Sequence, residues 1–257
     1  MATPLPQFDA IPTPAAAAGL LREARVWADL AGGLRHVPHA LLAARGHDEP
    51  VLLLPGYTAG DGSTWLLRRF LRQRGWDARG WGLGTNGGDA PGLLPRVIEV
   101  AARIAKERGR PLHLVGWSLG GFLARELARD RADLVRQVVT MGTPVVGGPK
   151  YTALASMFRS RGHDLDAIEA EIEARARRKI AVPITAIYSR RDGVVAWQAC
   201  VDRTSPRVEH VEVSATHFGL GFDLRVWRVV ADRLARHANA GRAAQRRAAG
   251  APAVRRR

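Results

Sequence analysis

The 257-residue chain has little cysteine, little lysine and no long uninterrupted apolar run. A single cysteine, Cys200, excludes an intramolecular disulfide framework and any multi-cysteine metal site, and it fits a reducing compartment. Its simplest role is that of a small buried apolar side chain. No segment reaches the ~20 consecutive apolar residues of a membrane-spanning helix. Residues 1–19 carry Pro4, Pro6, Pro12 and Pro14, with neither a basic start nor an apolar core of signal-peptide length. They read as an arm, disordered or ordered only on contact, and the expected location is the cytoplasm. Internal repeats and metal-ligand clusters are also missing, so the expectation is no metal.

Acidic residues are outnumbered, 24 Asp and Glu against 39 Lys and Arg, for a formal net charge of +15. Where that charge sits matters more than its size. Seven arginines and no acid fall between Arg236 and Arg257, among alanines and glycines, and residues 238–257 read as a solvated, disordered basic tail. Elsewhere the excess is scattered over helix faces, as at Arg68-Arg69 and Arg177-Arg178-Lys179, without interleaved aromatics. A dedicated nucleic-acid function is therefore not supported, while weak contact of the tail with polyanions or anionic membrane surfaces is expected.

What the chain does have is 46% hydrophobic residues, ample for one enzyme-sized core. Leu20 to Leu42 carries helical spacing broken by Gly32-Gly33 and Pro38, giving two short helices or one broken helix in an N-terminal region, residues 1–48. From residue 49 to 237 strands and helices alternate. Val51–Pro55, a continuous apolar run, and Trp76–Gly82, 112–116, Arg136–Met141, Ile184–Tyr188 and Val208–Val213 read as six strands. Helices are expected after Ser63/Thr64, which can cap; after a long loop, Leu83–Pro95; after residue 118; at Trp197–Val201; and at Phe222–Arg236. The alternation implies an α/β fold, a doubly wound and mainly parallel sheet with helices on both faces. Residues 145–181 break the rhythm and read as a small cap or lid, with an ordinary two-helix crossover as the alternative.

The stretch Pro111–Arg125 reads as strand, sharp turn, helix, with Gly116-Trp-Ser118-Leu-Gly120 at the turn. Ser118 at such an apex is forced into a strained backbone, and Gly116 and Gly120 must lack side chains where strand and helix crowd together. A serine hydroxyl is a weak nucleophile near neutral pH, so it needs a base, and the base an orienting acid. Asp192 lies just past the fifth strand and His217 just past the sixth, both at the sheet edge that would hold Ser118. The remaining histidines fall inside strands, before the sheet, in the cap segment or in the tail. Asp164 is the rival acid. For the oxyanion of an attacked carbonyl the donors would be the backbone N–H of Leu119, directly after Ser118, and that of Tyr57 after Pro55-Gly56.

Taken in order, Pro55-Gly56-Tyr57, Gly116-Trp-Ser118-Leu-Gly120, Asp192 and His217 resemble the α/β-hydrolase superfamily in its bacterial serine esterase/lipase branch. The resemblance covers about residues 50–236. It departs where many members carry His-Gly in place of Pro55-Gly56, and it is similar to the small, six-stranded versions. It implies a Ser-His-Asp triad acting on carboxylic esters without a cofactor. The apolar Trp117, Tyr57 and Phe218 favour a small-molecule ester with an apolar acyl or aromatic group. Acyl transfer, thioester cleavage and a non-catalytic scaffold for a hydrophobic ligand are the alternatives. Gly82-Leu-Gly84-Thr-Asn-Gly87 matches a dinucleotide fingerprint after a strand, yet no helix starts at its third glycine, so it is read instead as a loop flanking the pocket.

Overall fold

The computed structural model describes residues 6–26 and 40–248. Helix α1 (Ala16–Glu23) precedes β1 (Pro50–Leu54), α2 (Trp65–Gln73), β2 (Asp77–Gly80), α3 (Ala90–Arg108), β3 (Leu112–Trp117) and α4 (Leu119–Asp130). After β4 (Val135–Met141) come α5 (Ala155–Ser160) and α6 (Leu165–Ala176), then β5 (Ile184–Tyr188), β6 (Val208–Glu212) and α7 (Leu224–Ala248). The six strands form one sheet, ordered β2-β1-β3-β4-β5-β6 and parallel throughout.

Side chains of a strand point alternately to opposite faces, and both faces here are buried, which is why β1 is apolar at every position. Val51 and Leu53 pack with Leu67, Phe70 and Leu71 of α2 and with Val230 and Leu234 of α7. Leu52 and Leu54 pack on the other side with Val97, Ala101 and Ile104 of α3 and with Leu123 and Leu127 of α4. The outer strands are short or charged: β2 carries Asp77 and Arg79, and β6 carries Glu209 and Glu212, which discourages further pairing.

Several expectations are corrected. Helix α3 begins at Ala90, inside the stretch expected as loop, because Asp89 accepts from Gly92 N (3.1 Å) and Pro91 sits in the first turn, where its missing N–H is no loss. Ser63 and Thr64 do not cap α2; their hydroxyls donate backwards to Gly60 O and Asp61 O. The first helix starts at Ala16, before Leu20. Leu41 and Leu42, expected on an apolar face, are exposed, and Ala40 and Ala43 are the buried residues there. The remainder of that expectation, residues 27–39, lies outside the described residues. Helix α7 runs on to Ala248, so the basic tail expected from residue 238 begins as helix; residues 249–257 also lie outside the described residues. Alanines and arginines are good helix formers, and no proline interrupts them before Pro252.

Among the described residues no helix is long and apolar enough to cross a membrane.

Candidate active site

The sheet order reverses between β1 and β3, which places the loop after β1 beside the turn after β3 at the C-terminal edge, where open α/β sheets gather their ligands. Leu54 pairs with Gly116, so Pro55-Gly56-Tyr57 and Ser118 emerge from adjacent strands in register. Ser118 has φ 53° and ψ −122°, a conformation of order 1–3 kcal/mol above an ordinary one. It is held there on both sides: Ser118 N donates to Met141 O (2.8 Å), and Thr143 Oγ1 donates to Ser118 O (2.9 Å).

The glycines at the turn are there for space. A Cβ on Gly116 would lie 2.4 Å from Gly120 O, and one on Gly120 would lie 2.2 Å from Leu54 O. A Cβ on Gly56 would press to 3.3 Å from that of Ser118, so the loop after β1 touches the turn directly. Asn86, fully buried, holds this loop from outside: its Nδ2 donates to Pro55 O (2.9 Å), and its backbone exchanges hydrogen bonds with Thr58 N and Ala59 O. Asn86 belongs to the glycine-rich stretch that imitates a dinucleotide fingerprint. Gly87 from that stretch lines the cavity beside Ser118, in keeping with the expected pocket loop.

Asp192 and His217 arrive on the loops after β5 and β6 and meet in the interior. Asp192 Oδ2 lies 2.7 Å from His217 Nδ1, with both side chains almost fully buried. Asp192 Oδ1 accepts from Val194 N (2.9 Å) and Val195 N (2.7 Å), so both carboxylate oxygens are satisfied. The opposite end of the residue is fixed too, since Trp117 Nε1 donates to His217 O (3.2 Å) from the residue before Ser118. Burial pulls the His217 imidazole down, but the Asp192 charge, its hydrogen bond and the charge of Glu23 outweigh this, and its pKa is raised. Asp164, the rival acid, caps α6 by accepting from Asp166 N and Ala167 N (3.0 Å each) and is exposed.

Among the described residues, no backbone oxygen accepts from the N–H of Tyr57 or Leu119. Both residues line, with Ser118, a cavity of about 1060 Å³ between α3, α4 and the helices that follow β4. Its walls include Leu94, Ile98, Phe122, Phe158, Ile168 and Ile172. The Tyr57 ring packs on Phe158 (centroids 5.3 Å), and its hydroxyl accepts from Arg161 Nη1 (2.5 Å).

Three further residues shape the site without a signal in the sequence. Gly142 follows β4 with φ 55°, and a Cβ there would lie 2.9 Å from Asp192 Oδ2 and 3.0 Å from His217 Nδ1. Thr143 supports Ser118, as above. Glu23, from α1, is buried against the loops after β5 and β6. Cys200 is buried, as expected, with its thiol pKa raised well above the ordinary value by burial and then by the Asp192 charge. No group of metal-ligating side chains exists among the described residues.

The model of the alpha/beta hydrolase family matches residues 51–256. No protein of curated function matches the chain in sequence. Among solved structures, one of the pair LipS and LipT, two metagenome-derived lipolytic enzymes, is similar, with a TM-score of 0.60 at 17% identity over 77% of this chain and 96% of that one. An alpha/beta superfamily hydrolase from Oenococcus oeni is similar at TM-score 0.56 and 16% identity, covering 76% of this chain and 94% of that one. Aspergillus fumigatus lipase B is similar at TM-score 0.52 and 17% identity, covering 75% and 55% respectively. At such identities these likenesses speak to the fold, which they share with the six-stranded sheet described above. The family match spans well over half the sequence, and the chain belongs to the alpha/beta hydrolase family.

Proposed function

We propose that the protein is a serine hydrolase that cleaves carboxylic esters with an apolar acyl group. The observation that carries this reading is the buried Asp192–His217 pair at the same sheet edge as Ser118, which is held in a strained turn at the wall of an apolar cavity. Ser118 Oγ attacks the ester carbonyl while His217 Nε2 takes its proton. Asp192 stays ionised and supports the imidazolium through Nδ1. The Tyr57 and Leu119 N–H groups, and the N-terminus of α4, receive the negative charge of the tetrahedral oxygen. Collapse expels the alcohol, which takes the proton from His217 and leaves an acyl-enzyme. Water, deprotonated by His217, then releases the acid and restores Ser118. Each role falls to a side chain or backbone group of this chain, and no metal or cofactor is called upon.

The cavity supports the choice of acyl group. Its volume and its aliphatic and aromatic walls suit a hydrocarbon chain rather than a sugar or a phosphate. A panel of p-nitrophenyl esters from acetyl to dodecanoyl, run with and without an acceptor alcohol, tests the proposal. The expected result is hydrolysis that favours acyl chains longer than acetyl and vanishes in Ser118→Ala. Full turnover by Ser118→Ala would overturn the nucleophile. Transfer to the alcohol that outpaces hydrolysis would replace hydrolase by acyltransferase on the same residues.

A further inference from the structure

Glu23 is a carboxylate in a place that disfavours one. It ends α1, where the helix dipole opposes negative charge, and it is 3% exposed. What compensates it comes from remote parts of the chain. Its Oε1 accepts from Gly193 N (2.8 Å) and His217 N (2.9 Å), and its Oε2 accepts from Phe218 N (2.9 Å). Gly193 directly follows Asp192. One carboxylate therefore binds the backbone of the loop after β5 and of the loop after β6, at residues next to or identical with Asp192 and His217. The seat of α1 is shaped for this contact. A Cβ on Gly19 would lie 2.1 Å from Gly193 O, and one on Gly193 would lie 2.3 Å from Gly19 O, so two glycines let helix and loop touch.

We propose that Glu23 is a positioning residue for His217 and Asp192: buried at the end of α1, its carboxylate fixes the separation and orientation of their two loops through three backbone N–H groups. The N-terminal helix is in consequence part of the catalytic assembly and not an appendage to it. Hydrogen bonds to a charged acceptor are stronger than neutral ones, and these three add to the direct links between the two loops, such as Ala215 N donating to Ser189 Oγ (3.3 Å). A misplacement of about 1 Å between base and nucleophile is costly to rate, which makes this clamp matter to turnover. The charge acts as well as the geometry. The charged groups that bear on the His217 ring are Asp192 from the loop after β5 and Glu23 from α1, and both favour the imidazolium.

The proposal rests on the serine-hydrolase reading for its kinetic readout but not for its spectroscopic one. Glu23→Gln keeps the shape, removes the charge and leaves one acceptor oxygen for three donors. In the full-length protein, the His217 imidazole is titrated by NMR, esterase kcat and KM are measured, and folding is followed by thermal melting. Expected for Glu23→Gln is a His217 titration at lower pH, kcat down about 10- to 100-fold and KM nearly unchanged. Glu23→Asp, which keeps the charge, is expected to hold the titration nearer the parental value. Gly19→Ala, which wedges α1 away from Gly193 without touching Glu23, is expected to lower kcat in the same direction and covers the case of a poorly folded glutamine variant. Parental titration and kcat in Glu23→Gln, or a loss of rate that only follows the folded fraction, would overturn the proposal. A parent protein with neither esterase activity nor reaction with a phosphonate, in which Glu23→Gln still shifts His217, would sink the hydrolase reading and leave the clamp standing.

Discussion

Gly142 is the residue on which the Asp192–His217 pair leans, and nothing around it in sequence says so. Its positive φ costs a side chain roughly 1–2 kcal/mol, and its missing Cβ leaves room for both members of the pair. Gly142→Ala is expected to remain folded with a lowered melting temperature and to lose about 100-fold or more in kcat/KM, read with a soluble ester. The pH profile follows from His217. Its pKa is raised, so the imidazolium persists to higher pH than in a free histidine, and activity is lost as pH falls through a value above ~6.5. Asp192→Asn is expected to move that acid limb downward and to cost about 10⁴-fold in turnover, measured as kcat/KM across the neutral range. His113 gives the opposite sign for stability. Burial, then nearby arginines, hold its pKa at about 3, while Gln137 Nε2 donates to its Nδ1 (2.8 Å). The unfolded chain takes up a proton near ~6.5 and the folded one does not, so its contribution to stability is present above that pH and lost as pH falls toward 3. Melting temperatures followed from pH 7 to pH 4 are expected to fall more steeply for the parent than for His113→Leu. That Ser118, Asp192 and His217 come to one sheet edge was legible because each follows a stretch read as a strand, and strand-end position narrows the choice. Glu23, Gly142 and Thr143 were not, because their partners lie in other loops and no local pattern marks them.

At the scale of elements, strands were easier to read than helix starts. Buried parallel strands are continuous apolar runs, and β5 matches its expected span residue for residue. The start of α3 was hidden by Pro91 and Pro95, which suggest loop; Pro91 is tolerated in the first turn, and Pro95 lies inside the helix. The segment between β4 and β5 carries α5 and α6, and α6 is tied at both ends by charge. Lys150 pairs with Asp166 (2.6 Å) and Glu169 near its start, while Arg175 pairs with Asp130 (3.0 Å) and Glu126 of α4 near its end. Phe158, Ile168 and Ile172 of this segment stand on the cavity wall. Filling the cavity from the opposite side with Ile98→Trp is expected to cut kcat/KM for dodecanoyl esters at least about tenfold while sparing acetyl esters. Equal losses on both, or on neither, would show that the acyl chain lies elsewhere.

Across the whole molecule, the fold follows from strands buried on two faces and from crossovers that lay α3 and α4 on one side and α2 and α7 on the other. The net charge of +15 plays no part in that arrangement. Deleting residues 249–257 removes Arg255, Arg256 and Arg257, and the expected outcome is unchanged turnover of a soluble ester with elution from heparin at lower salt. The central claim, that Ser118 is a nucleophile served by His217 and Asp192, is tested most directly by reaction with a fluorophosphonate followed by peptide mass spectrometry. One phosphonyl group per chain is expected, on Ser118, with no adduct in Ser118→Ala and much slower reaction in His217→Ala and Asp192→Asn. A folded protein that takes up no phosphonate, or one that reacts at another serine with Ser118 unmodified, would contradict it.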